Sequence, residues 1–344
     1  MNIDDWKSCL LGDVLTFQRG HDLPKVKMIL GEYPVVGSNG IIGYHNEYTT
    51  EAPSITIGRS GNTGNPFVVY GRSWSHNTTL YVKEFKNSDP VFVYYLLKTL
   101  DLRNFSGGSA VPTLNRNHIH TINVTVPPLS EQFEIGYTLR MLDEKIANNN
   151  AINHHLEQMA QVIFTELCNE GEDALLSDIL TVCYGKDHKR LGSGEIPCYG
   201  SGGIMRYVDE SLYNGESVLI PRKGSLNNVL YVNEPFWTVD TMFYTHMTRP
   251  NVGKYSYFTV RDLDLAGMNV GSAVPSMTTA VLNALEIVLP SNDNLARFEE
   301  IVNPMFTQIQ ANNVESAHLA TMRDALLPKL MSGELSVADL GGGK

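Results

Sequence analysis

The chain has 344 residues, 42% of them hydrophobic and 18% charged, a balance typical of a folded protein with buried cores and not of a disordered one. Its apolar runs fall well short of the roughly 20 residues of a membrane span, and its amino terminus lacks the basic start of a signal peptide. We therefore predict a cytoplasmic protein with no membrane partner. The four cysteines show no CxxC spacing, which predicts neither a metal site nor a disulfide framework.

The net charge of −11 disfavours tight DNA binding by the chain alone, because a phosphate backbone is bound by excess Lys and Arg. The charge is unevenly distributed. Residues 1–128 carry 11 basic and 10 acidic side chains, whereas residues 129–168 carry 2 and 6. If the chain binds DNA, we expect a partner to supply much of the phosphate contact.

Much of the chain is repeated. Glu32–Tyr44 matches Glu195–Tyr207 at a shift of 163 residues. The same shift relates Ile57–Gly61 to Ile220–Gly224, Trp74 to Trp237 and Gly108–Leu114 to Gly271–Met277. Leu11–Thr16 pairs with Leu176–Thr181 at a shift of 165. The sequence therefore predicts two copies of one structural unit.

The first part of each copy, 11–128 and 176–290, is rich in Gly, Asn, Ser, Pro and aromatic residues. Short runs of β-type residues alternate there with turn signals, which predicts a mixed domain dominated by strands. The clearest predicted strands are Ser54–Gly58, Phe67–Tyr70, Thr79–Val82 and Ser217–Ile220. One helix is predicted over Pro90–Leu102, where a proline precedes apolar residues at helical spacing.

Each copy ends in a long predicted helix, with Ser130 and Ser291 as the predicted N-caps. Apolar residues recur at alternating spacings of three and four, which predicts a coiled-coil seam in each helix. Both seams turn polar at equivalent places, Asn149 with Asn153 and Asn312 with Ser316. A helical hairpin inside one globular core is the alternative. The side chains expected to pack in the seams are Leu139, Leu142, Ile146, Leu156, Met305, Ile309, Leu319 and Leu326.

Motifs for catalysis are not found in the sequence. Gly58–Gly64 lacks the Gly-Lys-Ser/Thr ending of a phosphate-binding loop, and Asn65–Phe67 lacks the second proline of the amino-methyltransferase motif. No HExxH, GxSxG or GxGxxG pattern indicates a metalloprotease, a hydrolase or a site for a methyl donor. We therefore predict no catalytic residue, no metal and no cofactor on this chain.

Small polar and basic residues do recur on the predicted loops of both copies. Arg and Lys pair with guanine edges or phosphates, Asn pairs with adenine, and Ser pairs with either. Simple turn building is the alternative for the Ser-Asn-Gly block, and Trp74 and Trp237 are predicted to belong to the cores. The candidate DNA-binding residues are Ser38, Asn39, Arg59, Ser60, Asn62, Arg72, His76, Ser201, Arg222, Lys223, Ser225 and Asn227.

Three features together resemble the specificity subunits of type I restriction-modification enzymes. They are the Arg-Lys-Gly-Ser and Phe-Trp-Thr-Val-Asp-Thr motifs within 222–241, the Gly-Ser-Ala-Val-Pro blocks at 108 and 271, and Val-Pro-Pro-Leu-Ser-Glu-Gln at 126–132. The resemblance implies two target-recognition domains, each reading half of a split site in double-stranded DNA. It also implies two methyltransferase subunits that use S-adenosylmethionine, and a restriction or translocase subunit that can join them.

The fold that follows is α+β. Two tandem, mixed, strand-rich target-recognition domains are separated by two long helices. The resemblance implies that these helices pack as an antiparallel coiled coil and that the two copies are related by pseudo-two-fold symmetry. The predicted boundaries are 1–128 for the first domain, 129–168 for the first spacer helix, 169–290 for the second domain, 291–335 for the second helix and 336–344 for a flexible tail. A helix over Glu131–Leu167 is about 55 Å long, which equals the length of about 16 base pairs of DNA. The helices can therefore set the distance between the two half-sites.

Two other functions compete with this interpretation. The chain could be the remnant of a fused modification enzyme, which would transfer labelled methyl groups from S-adenosylmethionine to DNA by itself. It could also be a scaffold whose domains bind polypeptide. Salt-dependent binding to duplex DNA in the presence of a methyltransferase subunit would argue against the scaffold.

Overall fold

The computed structural model describes residues 5–107, 112–268 and 276–340. Residues 108–111 and 271–275 of the two Gly-Ser-Ala-Val-Pro blocks lie outside the described residues. The chain forms two compact units, unit 1 from residues 1–149 with 313–344 and unit 2 from residues 150–312. Each unit therefore holds one strand-rich domain and a segment of each long helix.

Unit 1 begins with eleven short strands and three helices among its described residues. The strands are β1 (Lys7–Leu10), β2 (Thr16–Arg19), β3 (Tyr33–Gly37), β4 (Gly40–His45), β5 (Ser54–Gly58), β6 (Pro66–Val69), β7 (Trp74–Ser75), β8 (Thr79–Glu84), β9 (Ser106–Gly107), β10 (Thr113–Leu114) and β11 (Asn123–Val126). The helices are α1 (Leu11–Val14), α2 (Pro90–Thr99) and α3 (Arg116–Ile119). The main sheets have the strand orders β2-β8-β5-β6 and β4-β3-β7. The long helix α4 (Leu129–Leu167) follows.

Unit 2 has a similar order of elements, with fewer strands among its described residues. Its strands are β12 (Glu172–Leu175), β13 (Leu180–Tyr184), β14 (Ile196–Gly200), β15 (Gly203–Val208), β16 (Tyr213–Pro221), β17 (Leu230–Thr238), β18 (Met242–Met247) and β19 (Glu286–Leu289). Its helices are α5 (Gly253–Arg261) and α6 (Thr279–Asn283), followed by the long helix α7 (Asn292–Ser332); the short α8 (Val337–Leu340) belongs to unit 1. Six strands form one sheet, β13-β18-β16-β17-β14-β15.

The strand registers confirm that the two copies share one fold. β3 runs parallel to β7 with Val35 opposite Trp74, and β14 runs parallel to β17 with Cys198 opposite Trp237, at the same shift of 163 residues. β17 is continuous where unit 1 has β6 and β7 with a break between them, so the sheet that is whole in unit 2 is divided in unit 1.

The predicted helix after Pro90 is confirmed as α2, although it ends at Thr99 and not at Leu102. Asp89 caps its first turn, since its Oδ1 accepts a hydrogen bond of 2.8 Å from the Phe92 N–H. Proline suits the first turn because its missing N–H has no partner there in any helix. Phe92 and Tyr95 are fully buried in the unit 1 core.

In unit 1 the amino-terminal part of α4 packs antiparallel to the carboxy-terminal part of α7. Leu139 and Leu330 are both fully buried in the unit 1 core. Asp143 Oδ1 accepts a 2.5 Å hydrogen bond from Arg323 Nη1. Asn149, only 1% exposed, donates to Ser316 Oγ at 3.2 Å and to Glu315 Oε2 at 2.8 Å. The predicted polar position of the seam is therefore a hydrogen-bonded contact between the two helices.

Unit 2 repeats this packing with the other ends of the same helices. Phe164 of α4 lies against Phe298 of α7, with ring centroids 5.9 Å apart, and both contact Phe258 of α5. Asn312, 5% exposed, donates to Asn153 Oδ1 at 2.7 Å. The predicted packing of the two long helices is confirmed. Of the predicted seam residues, Leu139 is fully buried, and Leu142, Ile146, Leu156, Met305, Ile309, Leu319 and Leu326 are partly buried.

One of the two predicted helix caps is wrong. Ser291 caps α7, since its Oγ accepts a hydrogen bond of 3.2 Å from the Asn294 N–H. Helix α4 begins at Leu129, so Ser130 already lies inside it, and the N–H groups of Glu131 and Gln132 both donate to the Pro128 carbonyl oxygen at 3.0 Å. The helix therefore begins two residues earlier than the predicted serine cap requires, and Ser130 is its second residue.

Replacing Phe298 by alanine should destabilise the protein by about 3–5 kcal/mol, because the ring is fully buried and its removal leaves a cavity among Phe164, Phe258 and their neighbours. Denaturant unfolding measures this loss. Ile301→Ala is the matched control on the same helix, where the side chain is 38% exposed. Equal stabilities for the two variants would contradict this packing.

Candidate functional site

The structure brings two of the predicted polar turns together in unit 1. The turn with Ser38 joins β3 to β4, and the loop with Arg59 follows β5. Thr78 connects them, since its Oγ1 accepts from the Ser38 N–H at 3.3 Å and its carbonyl oxygen accepts from the Arg59 N–H at 2.8 Å. His76 joins the same group through a 3.1 Å contact between its Nδ1 and Thr78 Oγ1.

The equivalent turns meet in unit 2. The Arg222 N–H donates to the Thr241 carbonyl oxygen at 2.8 Å, which repeats the Arg59 contact. Asn228 Nδ2 donates to the Ser201 carbonyl oxygen at 2.9 Å. Gly224 has a φ of 87° and lies against Ser201, so a side chain there would be strained and crowded.

A third segment closes each loop from the other side. The Leu114 N–H donates to the Arg59 carbonyl oxygen at 2.8 Å, and the Met277 N–H donates to the Arg222 carbonyl oxygen at 2.9 Å. The arginine backbone is therefore held on both sides in both units. We call the Arg59 or Arg222 loop, together with the two segments that hydrogen bond to its arginine backbone, the arginine-loop frame.

The other candidate residues differ in what surrounds them. Asn39, Asn62, Lys223, Ser225 and Asn227 are exposed, whereas Ser60 is partly buried. The Lys223 N–H donates to the Thr241 carbonyl oxygen at 3.2 Å, which fixes its backbone and leaves the side chain in solvent. Asn227 uses its Oδ1 to accept from the Ala266 N–H at 3.0 Å.

Arg72 lies apart from this group. It follows β6, whose Val69 end pairs with Ser54 at the start of β5, while Arg59 follows the other end of β5. Its Nε donates to Glu51 Oε2 at 2.8 Å, and its guanidinium lies 4.5 Å from the centre of the Tyr48 ring. The structure does not bring Arg72 together with the other candidates, and its role in DNA contact stays a prediction.

Sequence reasoning missed a basic cleft in unit 1. It has a volume of about 670 Å³ and is lined by Gln18, Arg19, Gly20, His21, Asp22, Asn77 and Arg116. Arg59 lies beside it: burial, and after it the nearby charge of Arg19, lowers the pKa of the Arg59 guanidinium. Arg19 and Arg116 were missed because most of the candidates came from loop blocks that recur in both copies, and neither arginine has a basic counterpart in the second copy.

The charges of this cleft are poorly balanced. Within the described parts of the chain, no carboxylate oxygen lies within 4.0 Å of a side-chain nitrogen of Arg19, Arg59 or Arg116. Asp22 is the acidic group in the lining, and it accepts a hydrogen bond from Asn77 Nδ2. The cleft therefore favours an anionic group.

The equivalent place in unit 2 is built differently. At the shifts that relate the copies, Tyr184 stands for Arg19 and Thr279 for Arg116, while Arg222 stands for Arg59. The Arg222 guanidinium lies 5.3 Å from the centre of the Tyr184 ring and donates to the Asp240 carbonyl oxygen at 3.1 Å. Tyr184 Oη lies 3.4 Å from Thr279 Oγ1. These three positions thus hold three arginines in unit 1 and one in unit 2, whereas Lys186 and Lys223 of unit 2 correspond to His21 and Ser60 of unit 1.

A glycine permits the close crossing beside each frame. A Cβ atom at Gly20 would lie 2.0 Å from the His76 carbonyl oxygen, and one at Gly185 would lie 2.1 Å from the Val239 carbonyl oxygen, the equivalent atom of unit 2. Both glycine N–H groups hydrogen bond at 3.0 Å to the equivalent carbonyl oxygens of Thr79 and Met242. Only glycine lets the two backbones approach this closely.

Gly20→Ala should destabilise the protein by about 1–3 kcal/mol, because the methyl group would force the crossing backbones apart. Gly71→Ala is the matched control in the same unit, since a Cβ there meets no heavy atom within 4 Å. Thermal unfolding of both variants measures the difference. If Gly20→Ala melted at the wild-type temperature, the close crossing would be wrong.

Neither a metal-binding cluster nor a membrane-spanning helix is found among the described residues. In 5–107, 112–268 and 276–340 no group of three or more His, Cys, Asp or Glu side chains is arranged to hold a metal ion. No helix within these residues is both long enough and apolar enough to cross a membrane.

Comparison with known proteins gives one consistent result. Residues 3–158 match the family model described as type I restriction modification DNA specificity domain. The chain is 25% identical to the type I restriction enzyme MjaIX specificity subunit of Methanocaldococcus jannaschii over 72% of this chain and 70% of that protein. It is 20% identical to the MjaVIII specificity subunit of the same organism, over 98% of this chain and 94% of that protein.

A solved structure shares the fold. The S subunit of a type I restriction-modification system from M. genitalium is matched with a TM-score of 0.68 and 17% identity, over 95% of this chain and 96% of that one. The family resemblance and the fold class predicted from the sequence are confirmed.

Proposed function

We propose that this chain is a specificity subunit of a type I restriction-modification system, the family to which it is similar, and that each of its two units reads one half of a bipartite DNA site. The observation that carries the proposal is the arginine-loop frame, which is built twice from equivalent backbone hydrogen bonds and carries different side chains each time. A recognition surface for two unlike half-sites needs these two properties, because geometry must be shared and base contacts must differ.

The side chains on the frame are of types that contact DNA. Main-chain hydrogen bonds hold the backbones of Arg59 and Arg222. The Arg222 guanidinium gives one N–H to the Asp240 carbonyl oxygen, and its other donors remain for a guanine edge or a phosphate. Ser60 in unit 1 stands where unit 2 has Lys223, and Asn77 stands where unit 2 has Asp240. These differences would give the two units different preferred half-sites.

The chemistry of modification would come from partners. The proposed complex contains two methyltransferase subunits that use S-adenosylmethionine, and a restriction or translocase subunit can join it; this chain contributes no catalytic residue. An exposed apolar surface on α4 supports docking of a partner. Phe133 and Tyr137 are 61% and 55% exposed, and their rings stack with centroids 6.1 Å apart. Such a surface is typical of a protein interface.

Arg59→Ala and Arg222→Ala should each weaken specific DNA binding by the complex, by roughly 1–3 kcal/mol if the arginine contacts guanine with two hydrogen bonds. Each change should relax the methylated motif at one position, in one half only, because each arginine belongs to one unit. Mapping of methylated sites with each variant complex measures this.

Arg249→Ala is the matched control. Arg249 lies at the far end of β18 from the frame and pairs with Asn292 at the start of α7. Each variant must still co-purify with the methyltransferase subunit, which shows that the complex is intact. An unchanged motif and affinity in both frame variants would show that the loops do not face DNA, and the proposed surface would be wrong.

The long helices are proposed to set the separation of the half-sites. Inserting seven residues into both α4 and α7, after Asn150 and after Asn313, preserves the seam because seven residues are one heptad. Each helix becomes about 10 Å longer, so the unread spacer of the motif should grow by about 3 base pairs while both half-sites stay the same. Methylation mapping tests this. An unchanged spacer in a complex that still methylates would contradict the proposal.

A further inference from the structure

The proposed function leaves unused a difference between the two cores where α4 and α7 pack together. The chain consists of two equivalent halves, residues 1–168 and 169–344, each with one strand-rich domain and one long helix. Each half could therefore pair with the unlike half or with the same half of another copy. The seam does not decide between these partners, because both helices carry a buried asparagine at an equivalent place, Asn149 and Asn312.

In unit 1 a carboxylate joins the two helices to the first domain. Asp143 of α4 accepts a 2.5 Å hydrogen bond from Arg323 Nη1 of α7 and a 2.6 Å hydrogen bond from the Tyr95 hydroxyl group of α2. Tyr95 is fully buried, and the side chains of Asp143 and Arg323 are 26% and 20% exposed. Burial and the hydrogen bond to Asp143 raise the pKa of Tyr95, so its hydroxyl group stays protonated and acts as the donor.

The same three positions are apolar in unit 2. The residues that stand for Tyr95, Asp143 and Arg323 at the shift of 163 are, in that order, Phe258, Phe306 and Ala160. All three are buried in one core, where the two phenylalanine ring centroids lie 5.9 Å apart. A charged cluster in one unit thus corresponds to an apolar cluster in the other.

Pairing of two first halves would break the charged cluster. The end of α4 would take the place of the end of α7, so Ala160 would stand opposite Asp143. The carboxylate would keep the tyrosine hydroxyl group but lose its cation, and a largely buried ion pair that loses one partner is strongly destabilised. Lys98 lies nearby over the rings of Tyr94 and Tyr95, and its Nζ is not within 4.0 Å of a carboxylate oxygen of any described residue.

Pairing of two second halves would fail in the opposite way. The end of α7 would take the place of the end of α4, which puts the Arg323 guanidinium against the Phe258 and Phe306 rings. The arginine would keep Asp324 beside it on the same helix but lose Asp143. Arg261 already lies 4.7 Å from the Phe258 ring centre, so a second cation would also meet a like charge.

A further contact in unit 2 has the same effect. Tyr257 of α5 is 5% exposed, and its hydroxyl group donates a 2.9 Å hydrogen bond to Glu157 Oε1 near the end of α4. At the equivalent place in α7 the chain has Ala320, which offers no acceptor. The core of unit 2 therefore matches the end of α4 better than the end of α7.

We propose that these side chains make the two halves of the chain selective for each other. The cluster of Tyr95, Asp143 and Arg323 favours the end of α7 in unit 1, and the apolar cluster with Tyr257 favours the end of α4 in unit 2. Each half thus selects the unlike half over a second copy of itself. This inference concerns assembly and does not depend on DNA binding; together with the proposed function, it keeps two different half-site readers in every complex.

The experiment exchanges halves between copies of the folded full chain. A protease site inserted between Asn169 and Glu170, two exposed residues after α4, allows the folded chain to be cut there. Two preparations with different amino-terminal tags are cut, mixed and exposed to denaturant, which is then removed. A third tag, at the carboxy terminus of one preparation, reports exchange of unlike halves, and the denaturant is raised until this exchange is complete.

Capture on one amino-terminal tag recovers the other such tag only where two first halves have paired. In the wild type we expect these like pairs to be at least about tenfold fewer than random pairing gives, because each of them lacks the Asp143–Arg323 ion pair.

Two variants should remove the selection. Tyr95→Phe combined with Asp143→Phe gives unit 1 the side chains of unit 2, so the place opposite Ala160 becomes apolar and Arg323 loses its carboxylate. Like pairs of first halves should then rise at least about tenfold over the wild type. Arg323→Ala is a milder change in case the double variant does not fold. It should also raise the proportion of like pairs, because unlike pairs then lack the same ion pair.

Arg140→Ala is the matched control, because Arg140 pairs at 2.7 Å with Glu144 of its own helix. It should keep the wild-type proportion of like pairs. Random pairing in the wild type would show that the halves do not select each other. Wild-type proportions in the folded Arg323→Ala variant would show that the selection does not come from this cluster. Either result would overturn the inference.

Discussion

The candidate surface depends on the backbone hydrogen bonds that hold the arginine loop in each unit. Backbone atoms position Arg59 and Arg222: each donates its N–H to a threonine carbonyl oxygen and accepts at its own carbonyl oxygen from a third segment. Because the loop is fixed without side-chain hydrogen bonds at these two points, the side chains on it can change while the geometry stays. This arrangement suits a protein whose two halves must present different residues from one scaffold.

The two long helices are also held by equivalent contacts in both units. Apolar contacts fix them within each unit, through Leu139 and Leu330 in one and Phe164 and Phe298 in the other. The buried amides of Asn149 and Asn312 sit at equivalent places and each reaches the opposite helix. A buried polar group is stable only when its partner is present, so these contacts define one register at some cost in stability.

Much of this could be predicted from the sequence, because a repeat reveals itself by comparison of the chain with itself. Strands and long helices were predicted from their residue spacings and turn signals, and the repeat showed that the polar positions of the two seams are equivalent. Arg19 and Arg116 were not selected as candidates, because most candidates came from blocks that recur in both copies. The counterparts of these two arginines are Tyr184 and Thr279. Arg72 was grouped with Arg59 by its charge, but β6 carries it to the other end of the hairpin, and only strand pairing shows this.

The division of the chain into units has a consequence for its synthesis. Unit 2 is one continuous stretch, 150–312, whereas unit 1 also needs 313–344, because Leu330 and Met331 are buried in the same core as Leu11 and Phe17. As the polypeptide leaves the ribosome, the second domain can close as soon as its own residues have emerged. The apolar surface of the first domain stays uncovered until the end of α7 has been synthesised. The domain that is synthesised first is therefore the one that completes its folding last.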